Sequence, residues 1–565
     1  NGALNCQSIL AYPLSDSCAL AGMAKAIAMT AKATTLKYIF FLVLFLQVTY
    51  MYKKPILILV GLVELTLILL VSGYLVSINK ILGYLINCIL LLSIGIEIIV
   101  YRFAGNFASL IMVTNLESIQ GISGKAILYL LYIIPFIVAL CIPTPKIGGR
   151  FYKSFSKCGL VCVLLLMEFV IWNSGENASP IENSILLFRN IYARQARYNK
   201  IAQSGNSDFE MLDSMFYKDT IGNYVSFPLQ KKNPDVVLIF TEGLSQNIID
   251  DERNIMPNVR MYEDKSLNFT NYYNHTAATY RGLIGQLYSG HQYNNNDENT
   301  LISLQKIMHD NGYQTTLINT EPNNQDFTNY LKTFDFDRIV TSNNTNTWLR
   351  DDEAYELLEN EVKECYENNK PDFIVIYTFG THATFDESKV KYGDGKNGLL
   401  NRFANADYYF GEFMKNFENN DKYNDLVVVF TTDHCTYEDE DFIRIFEPSC
   451  TRGDYFCDQI PLLIWYNKIE AQEINAEGRN SLCFAPTLLD FLDIDGDNYF
   501  LGNSLFSNND VNNLIDKVYA IPDEERYRIT SESGISGLDE AEFNIVNPII
   551  KGYLSYTIKA KEIVY

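Results

Sequence analysis

The sequence predicts an N-terminal bundle of about five transmembrane helices, followed by an α/β domain with a mostly parallel sheet. Two observations support this fold class. Long apolar runs fill the first 175 residues, whereas short apolar runs alternate with helical patterns from residue 235 onward. The 565-residue length also exceeds that of one ordinary domain. We therefore expect four segments, with bounds at 1–36, 37–174, 175–234 and 235–565.

The apolar runs occupy roughly residues 37–52, 55–78, 81–101, 126–143 and 156–173. Most of them approach the roughly 20 residues that a helix needs to cross a bilayer. Buried helices of a soluble protein are the alternative, but these runs are too many, too long and too poor in charge. Residues 37–174 are therefore predicted to span a membrane. The segment 1–36 resembles no cleavable signal and has no predicted role.

Lysine and arginine predict the orientation of the spans. If the N-terminus is cytoplasmic, the inner segments carry eight basic residues and the outer ones four. Basic residues accumulate on the cytoplasmic side of membrane proteins, so five spans place everything after Trp172 outside the cytoplasm. The inner residues are Lys25, Lys32, Lys37, Lys80, Lys146, Arg150, Lys153 and Lys157, and the outer ones are Lys53, Lys54, Arg102 and Lys125.

Polar features accompany the membrane half. Glu64, Glu97 and Glu168 lie inside apolar runs, where a carboxylate is a functional hypothesis by default. Glu97 and Glu168 lie near helix ends and are expected to reach the interface, whereas Glu64 is more central. The basic amphipathic stretch "ILLFRNIYARQARYNK" within 175–234 predicts an interfacial linker helix.

Composition excludes several classes of function. The net charge is −22, and most of the acidic surplus follows residue 175, which argues against a nucleic-acid partner. The cysteines show no CxxC spacing, so neither a zinc ribbon nor a thioredoxin-like motif is predicted. Cys450 and Cys457 form either a small loop disulfide or two free thiols.

Candidate ligands follow three predicted strands of the C-terminal half. Ligands of parallel sheets collect beyond the carboxyl ends of the strands. Glu242 follows the first strand, His382 follows the third, and Asp433 with His434 follows the fourth. Each alone could be a helix cap or an ordinary polar residue, but their recurrence favours a divalent cation, zinc or manganese with magnesium as an option. The five strands are 235–240, 314–319, 372–378, 426–432 and 461–466.

A hydroxyl nucleophile is predicted in "NYYNHTAATYRGLIGQLYSG" (271–290), where small residues precede an apolar helical run. A bound cation lowers the pKa of a threonine alcohol and holds it for attack. Thr276 and Thr279 are both candidates. The alternative is a threonine that only caps the following helix.

With these parts in order, the chain resembles the membrane-anchored phosphotransferases of the alkaline phosphatase/sulfatase superfamily, which include lipoteichoic acid synthases, phosphoglycerol transferases and phosphoethanolamine transferases. "NPDVVLIFTEGLS" resembles the first strand with its metal glutamate, Glu242, and "NHTAATYRG" resembles the segment with the nucleophile, which falls on Thr279. "FGTHATF" resembles the substrate-phosphate histidine motif, with His382. "VVVFTTDH" resembles the metal-binding Asp-His motif, with Asp433 and His434. "MPNV" and "FAPTLLDFLDIDGDNYFLGNSLFS" resemble further family segments.

The same resemblance implies substrate contacts. "TNLES" resembles an Asn-x-x-Glu-Thr element, which implies that Asn115, Glu117 and Ser118 contact the lipid head group. Arg350 is a candidate substitute for an arginine that the synthase branch uses around glycerol phosphate. The head group stays open, because the threonine segment lacks the cysteines of the phosphoethanolamine branch and no histidine follows His434.

The resemblance therefore implies a metal-dependent transferase in the bacterial cytoplasmic membrane. It would move phosphoethanolamine or glycerol phosphate from a membrane phospholipid, through a phosphothreonine, to an envelope glycan or lipid acceptor. Thr279 would be both the nucleophile and a metal ligand. A phosphodiesterase, a sulfuric-ester hydrolase and a catalytically inactive membrane sensor are the alternatives. The oligomeric state is not predicted.

Overall fold

The fold is that of a computed structural model, in which the chain forms two compact units. One unit comprises the residues up to Ser109 together with Lys125–Ile191, and the other comprises Leu110–Gly124 and Tyr192–Tyr565. The described residues are 33–114, 126–147, 155–174, 177–203, 206–229, 231–343, 346, 348–367, 370–383, 387–418, 420–446, 456–507 and 513–564.

The first unit consists of the predicted apolar helices. Three described helices are long and apolar enough to cross a membrane, namely α1 (Ala33–Met51), α2 (Ile56–Ile78) and α3 (Lys80–Ala104). The helices α5 (Ala126–Cys141) and α6 (Phe155–Trp172) lie at the fourth and fifth predicted spans. Their apolar parts, as far as side chains are described, cover only Leu131–Cys141 and Gly159–Trp172. The number of five spans therefore stays a prediction.

Two buried glutamates of this unit hold the start of helix α7 (Pro180–Ala202). A Glu64 carboxylate oxygen accepts hydrogen bonds from the Ser179 hydroxyl at 2.5 Å and from the Ile181 amide at 3.4 Å. Glu97 accepts from the Asn183 side chain at 3.0 Å and is only 2% exposed. The expectation that Glu97 reaches the interface was therefore wrong. Both carboxylates instead satisfy donors around a helix N-terminus, where negative charge is favourable.

The second unit contains an α/β domain built on a mostly parallel sheet, as the sequence predicted. Among the described residues the sheet has eight strands in the order β4-β3-β5-β1-β6-β7-β2-β8, and only β7 runs antiparallel to the others. The strands are β1 (Val236–Thr241), β2 (Leu267–Thr270), β3 (Gln314–Asn319), β4 (Arg338–Thr341), β5 (Asp372–Thr378), β6 (Val427–Thr432), β7 (Leu462–Tyr466) and β8 (Gln472–Asn475).

Helices cover both faces of this sheet. Successive side chains of β1 alternate between two apolar cores, with Val236 and Leu238 in one and Val237 and Ile239 in the other. This burial on both faces explains why the strands read as continuous apolar runs. The α-helices of the unit are α4 (Leu110–Thr114), α8 (Asn206–Phe216), α9 (Gln246–Ile249), α10 (Pro257–Glu263), α11 (Thr279–Tyr288), α12 (Leu304–Asp310), α13 (Gln325–Leu331), α14 (Asp351–Glu367), α15 (Gly398–Glu418), α16 (Glu440–Phe446), α17 (Phe484–Phe491) and α18 (Glu540–Val564).

All five strands predicted from the sequence are present, whereas short strands were missed. β2, β4 and β8 have only four residues each, and at least one face of each is partly exposed, so they lack the apolar run that marks the central strands. A separate antiparallel sheet of β9 (Val518–Ile521), β10 (Arg526–Ser531) and β11 (Gly534–Gly537) was also missed. A turn joins β9 to β10 and includes Asp523 and Glu524.

Candidate active site

Strand register brings the first candidate ligands together. β1 lies between β5 and β6, and Thr241, the last residue of β1, is aligned with Thr378 and with Thr432. Glu242 and Asp433 are the next residues along β1 and β6, so their side chains emerge side by side. This placement follows from the parallel sheet, whose strands end at the same edge.

Glu242, Asp433 and His434 form a buried cluster in which one ligand atom from each lies within 4.8 Å of the others. The Nε2 atom of His434 is 3.4 Å from a Glu242 oxygen and 3.3 Å from the Asp433 Oδ2 atom. The other Asp433 oxygen, Oδ1, accepts hydrogen bonds from the amides of Gly243 and His434, both at 2.8 Å. The three side chains are thus held in place by the loops that carry them.

The protonation of His434 leaves its Nε2 atom available as a ligand. Its Nδ1 atom lies 2.6 Å from the carbonyl oxygen of Cys435. A carbonyl only accepts, so Nδ1 carries a proton, and Nε2 is the ring atom that faces Glu242 and Asp433. A backbone carbonyl that fixes the tautomer in this way is a common support for metal-binding histidines.

The cluster has the electrostatics of a cation site. The Oδ2 atom of Asp433 is buried without a hydrogen-bond partner, and the residue is 0% exposed. Burial, with a further contribution from the Asp433 carboxylate, raises the pKa of Glu242 to about 8. Two carboxyl groups and an imidazole that converge in this way suit a divalent ion. Their oxygen and nitrogen atoms fit zinc or manganese.

Thr279 lies beside this cluster as the first residue of α11. Its hydroxyl donates to a Glu242 oxygen at 3.0 Å and is 3.5 Å from the His434 Nε2 atom. The other candidate nucleophile, Thr276, is buried, and its hydroxyl donates to the Ala520 carbonyl oxygen at 2.8 Å. Of the two threonines, the geometry therefore favours Thr279 as the nucleophile.

The backbone that presents Thr279 is strained and tightly packed. Ala278 has φ +75° and ψ 142°, a conformation that residues with a Cβ atom rarely adopt and that often marks a functional site. Gly282, one turn further along α11, has its Cα next to the Asp433 backbone. A Cβ atom there would lie 2.2 Å from the Asp433 carbonyl oxygen, so only glycine allows the helix to approach this loop.

The other predicted site residues lie outside this cluster. His382 follows β5 and stacks on the Phe379 ring, with 4.5 Å between ring centroids and 13° between planes. Arg350 is paired with Asp352 at 3.1 Å and with Glu353 at 2.8 Å. Asn115, Glu117 and Ser118 lie outside the described residues. The substrate roles of all five residues stay predictions.

Three further residues near the site were missed by the sequence analysis. The Tyr377 hydroxyl donates to the same Glu242 oxygen that accepts from Thr279. Its place near the end of the strand that leads to His382 was the available signal. Arg281 lies two residues after Thr279 and pairs with Asp523 at 2.8 Å. The pair is 242 residues apart in sequence, and no local pattern predicts it.

Comparison with known proteins shows a match to one family model and a similarity of fold to solved structures. Residues 234–494 match the family model described as Sulfatase. The integral membrane protein lipooligosaccharide phosphoethanolamine transferase A (EptA) from Neisseria meningitidis is similar in fold, with 15% identity and a TM-score of 0.50 over 86% of this chain and 98% of that chain. No curated protein sequence matches the chain.

Two further solved structures are similar at lower scores. The lipoteichoic acid synthase LtaP from Listeria monocytogenes has 14% identity and a TM-score of 0.49, covering 62% of this chain and 98% of that chain. A protein in the alkaline phosphatase superfamily from Vibrio parahaemolyticus has 17% identity and a TM-score of 0.48, covering 64% and 96%.

Fold and cluster together define an enzyme domain of the sulfatase type, preceded by apolar helices. The match of residues 234–494 to the Sulfatase model indicates a domain of this type, and the buried cluster is a possible metal site within it. The resemblance expected from the sequence motifs is confirmed for the fold, which is similar to that of EptA.

Proposed function

We propose that this protein is a membrane phosphotransferase that moves a phospholipid head group, phosphoethanolamine or glycerol phosphate, to a glycan or lipid acceptor of the cell envelope. The observation that carries the proposal is the position of the Thr279 hydroxyl, 3.0 Å from Glu242 and 3.5 Å from His434. The apolar helices that precede the domain support a donor that resides in a bilayer. A chain anchored beside its donor works at a high effective donor concentration.

Glu242, Asp433 and His434 would hold a divalent cation, together with the Thr279 oxygen. When bound, this cation would lower the pKa of the threonine hydroxyl and stabilise charge on the phosphoryl oxygens. The carboxylate of Glu242 accepts the Thr279 hydrogen bond and is therefore placed to take the proton of that hydroxyl. The N-terminus of α11, where Thr279 lies, adds a favourable field for a phosphate group.

The reaction then has two steps. In the first, Thr279 Oγ1 forms a bond to the phosphorus of the lipid phosphodiester, and the bond from phosphorus to the diacylglycerol oxygen breaks. Diacylglycerol leaves with a proton from solvent. In the second, an acceptor hydroxyl attacks the same phosphorus and releases its proton to solvent, while the bond to Thr279 breaks and Thr279 takes back the proton that Glu242 received. His382 is our candidate for stabilising the phosphoryl oxygens in both steps.

The test is to incubate the purified full-length protein with phosphatidylethanolamine vesicles and, separately, with phosphatidylglycerol vesicles, and to measure its intact mass. We expect a phosphoethanolamine or glycerophosphate adduct on Thr279 and none on a Thr279→Ala variant. An adduct that persists in Thr279→Ala contradicts the assignment of the nucleophile. Hydrolysis of either lipid without any adduct contradicts the transfer mechanism and favours a phosphodiesterase.

The topology requires its own test. We propose that the catalytic domain lies on the periplasmic or extracellular side of the cytoplasmic membrane, as the distribution of basic residues predicts. A cysteine placed at the exposed Lys396 should react with a membrane-impermeant maleimide in intact spheroplasts. Protection of this cysteine until the membrane is disrupted would contradict the proposed side.

A further inference from the structure

The short helix α4 packs against the catalytic domain, although in sequence it lies between the third and fourth apolar helices. The Leu110 amide donates to a Glu524 carboxylate oxygen at 2.9 Å. At the other end of α4, the Thr114 hydroxyl accepts from the Arg281 guanidinium at 3.0 Å. Both ends of the helix are therefore bound to the second unit.

Ile111, between these two ends, shares an apolar cluster with the turn that precedes Thr279. Ile111 is 9% exposed and belongs to an apolar cluster that includes Ala277, with Ala278 packed against it. Ala277 and Ala278 are the two residues immediately before Thr279. The other buried members of the cluster are Tyr273, Cys457, Tyr519 and Ile521.

Arg281, in the first turn of α11, forms an ion pair with the buried Asp523 side chain. Its guanidinium is 2.8 Å from Asp523, and that carboxylate also accepts from Arg194 of α7 at 3.1 Å. The Asp523 side chain is 2% exposed, so two arginines compensate its charge almost without solvent. Arg281 lies on the first turn of α11, and its guanidinium donates hydrogen bonds to both Asp523 and Thr114.

These contacts converge on a strained residue. Ala278 has φ +75°, which an ordinary residue keeps only where the surrounding structure fixes it. We propose that α4 is a positioning element for catalysis: Ile111 packs against Ala277 and Ala278, Thr114 orients Arg281, and together they hold Thr279 beside Glu242. This inference rests on the proposed role of Thr279 as the nucleophile.

The alternative is that α4 only stabilises the domain, and a matched pair of variants separates the two. Ile111→Ala truncates the side chain that α4 contributes to the cluster of Ala277. Ile307→Ala makes the same change at a buried residue of α12. Ile307 belongs to a different apolar cluster from Ile111. Both full-length variants are measured for thermal unfolding and for the rate of adduct formation on Thr279 with vesicles of phosphatidylethanolamine and phosphatidylglycerol.

We expect Ile111→Ala to lower the maximal rate of adduct formation about tenfold, with a lipid KM within about twofold of wild type. Ile307→Ala should be destabilised as well but should keep its rate. Equal rates in the two variants would overturn the positioning role. A wild-type chain that forms no adduct would overturn the proposed function, and this inference with it.

A rescue variant distinguishes a role in positioning Thr279 from a role in stability alone, because only the first predicts recovery of the rate. Glycine adopts positive φ without the steric cost of a Cβ atom, so it needs less support from α4. Ala278→Gly should therefore restore most of the rate lost in Ile111→Ala, while it leaves the rate of Ile307→Ala unchanged or lower. If the glycine restores nothing in the Ile111→Ala background, α4 does not act through the nucleophile turn.

Discussion

The catalytic domain buries two acidic centres that differ in how their charge is compensated. At the Glu242–Asp433–His434 cluster, two carboxyl groups face an imidazole, and Asp433 Oδ2 has no hydrogen-bond partner. At Asp523, the carboxylate pairs with Arg281 at 2.8 Å and with Arg194 at 3.1 Å. A buried charge is costly unless it is paired. We therefore propose that the first centre binds a cation, whereas two arginines of the chain compensate the second.

The largest contrast is expected from neutralising one carboxylate in each centre. Asp433→Asn removes a ligand, so head-group transfer should fall about a thousandfold or more, because metal catalysis contributes several kcal/mol. In metal-free protein the same change removes an uncompensated charge and should raise the thermal unfolding temperature. Transfer assays and calorimetry check the two effects. A metal-free Asp433→Asn protein that unfolds at a lower temperature would contradict the comparison.

Asp523→Asn should have the opposite effect on stability. It leaves Arg281 and Arg194 without their shared carboxylate, and breaking such a buried pair costs roughly 3 kcal/mol in the free energy of unfolding. Denaturant unfolding measures the loss. The control is Asp441→Asn, which breaks the exposed pair of Asp441 with Arg444 and should change the free energy of unfolding by less than about 1 kcal/mol.

Another buried carboxylate, Asp407, accepts hydrogen bonds from amide donors, and it gives a pH test. Its Oδ1 atom accepts from the Val259 amide at 2.8 Å, and its Oδ2 atom accepts from the Asn258 side chain at 2.8 Å. Burial raises the pKa of Asp407 from 3.8 to about 6. The folded state thus holds the proton more tightly than the unfolded state. The stability that this protonation contributes is present below about pH 4 and is lost as the pH rises through about 6.

The comparison between wild type and Asp407→Asn isolates this contribution, because asparagine does not titrate. The free energy of unfolding of wild type minus that of the variant should fall by roughly 2 kcal/mol between pH 4 and pH 7. Denaturant unfolding at both pH values measures it. A difference that is independent of pH would show that the carboxylate is compensated as fully as Asp523.

The smallest effect is expected at Tyr377, whose hydroxyl donates to Glu242. Tyr377→Phe removes this donor and keeps the ring, so the transfer rate should fall about tenfold, the cost of one hydrogen bond to a charged group. Steady-state assays measure the rate. Tyr366→Phe, which loses a hydrogen bond to the Asp425 carboxylate instead, is the control and should change the rate much less.

A part of the molecule could be predicted where the residues that form it lie close together in the sequence. The five buried strands could be predicted, and so could the neighbourhood of Glu242 and Asp433, because apolar runs and parallel strand ends fix both. The assignment of the nucleophile to Thr279 came from the resemblance of "NHTAATYRG" and stays a prediction, which its hydrogen bond to Glu242 supports. The compensation of Asp523 and the packing of α4 were not predictable, because these contacts join residues more than 240 positions apart.

We propose that the cluster at Glu242 binds one divalent cation, whereas arginines of the chain compensate the charge of Asp523. The direct measurement is calorimetric titration of zinc and of manganese into chelator-treated full-length protein, alongside Asp433→Asn and Asp523→Asn. We expect wild type and Asp523→Asn to bind the same ion with similar affinity and Asp433→Asn to lose this binding. Undiminished binding by Asp433→Asn, or no binding by wild type, would contradict the proposed cation site at Glu242, Asp433 and His434.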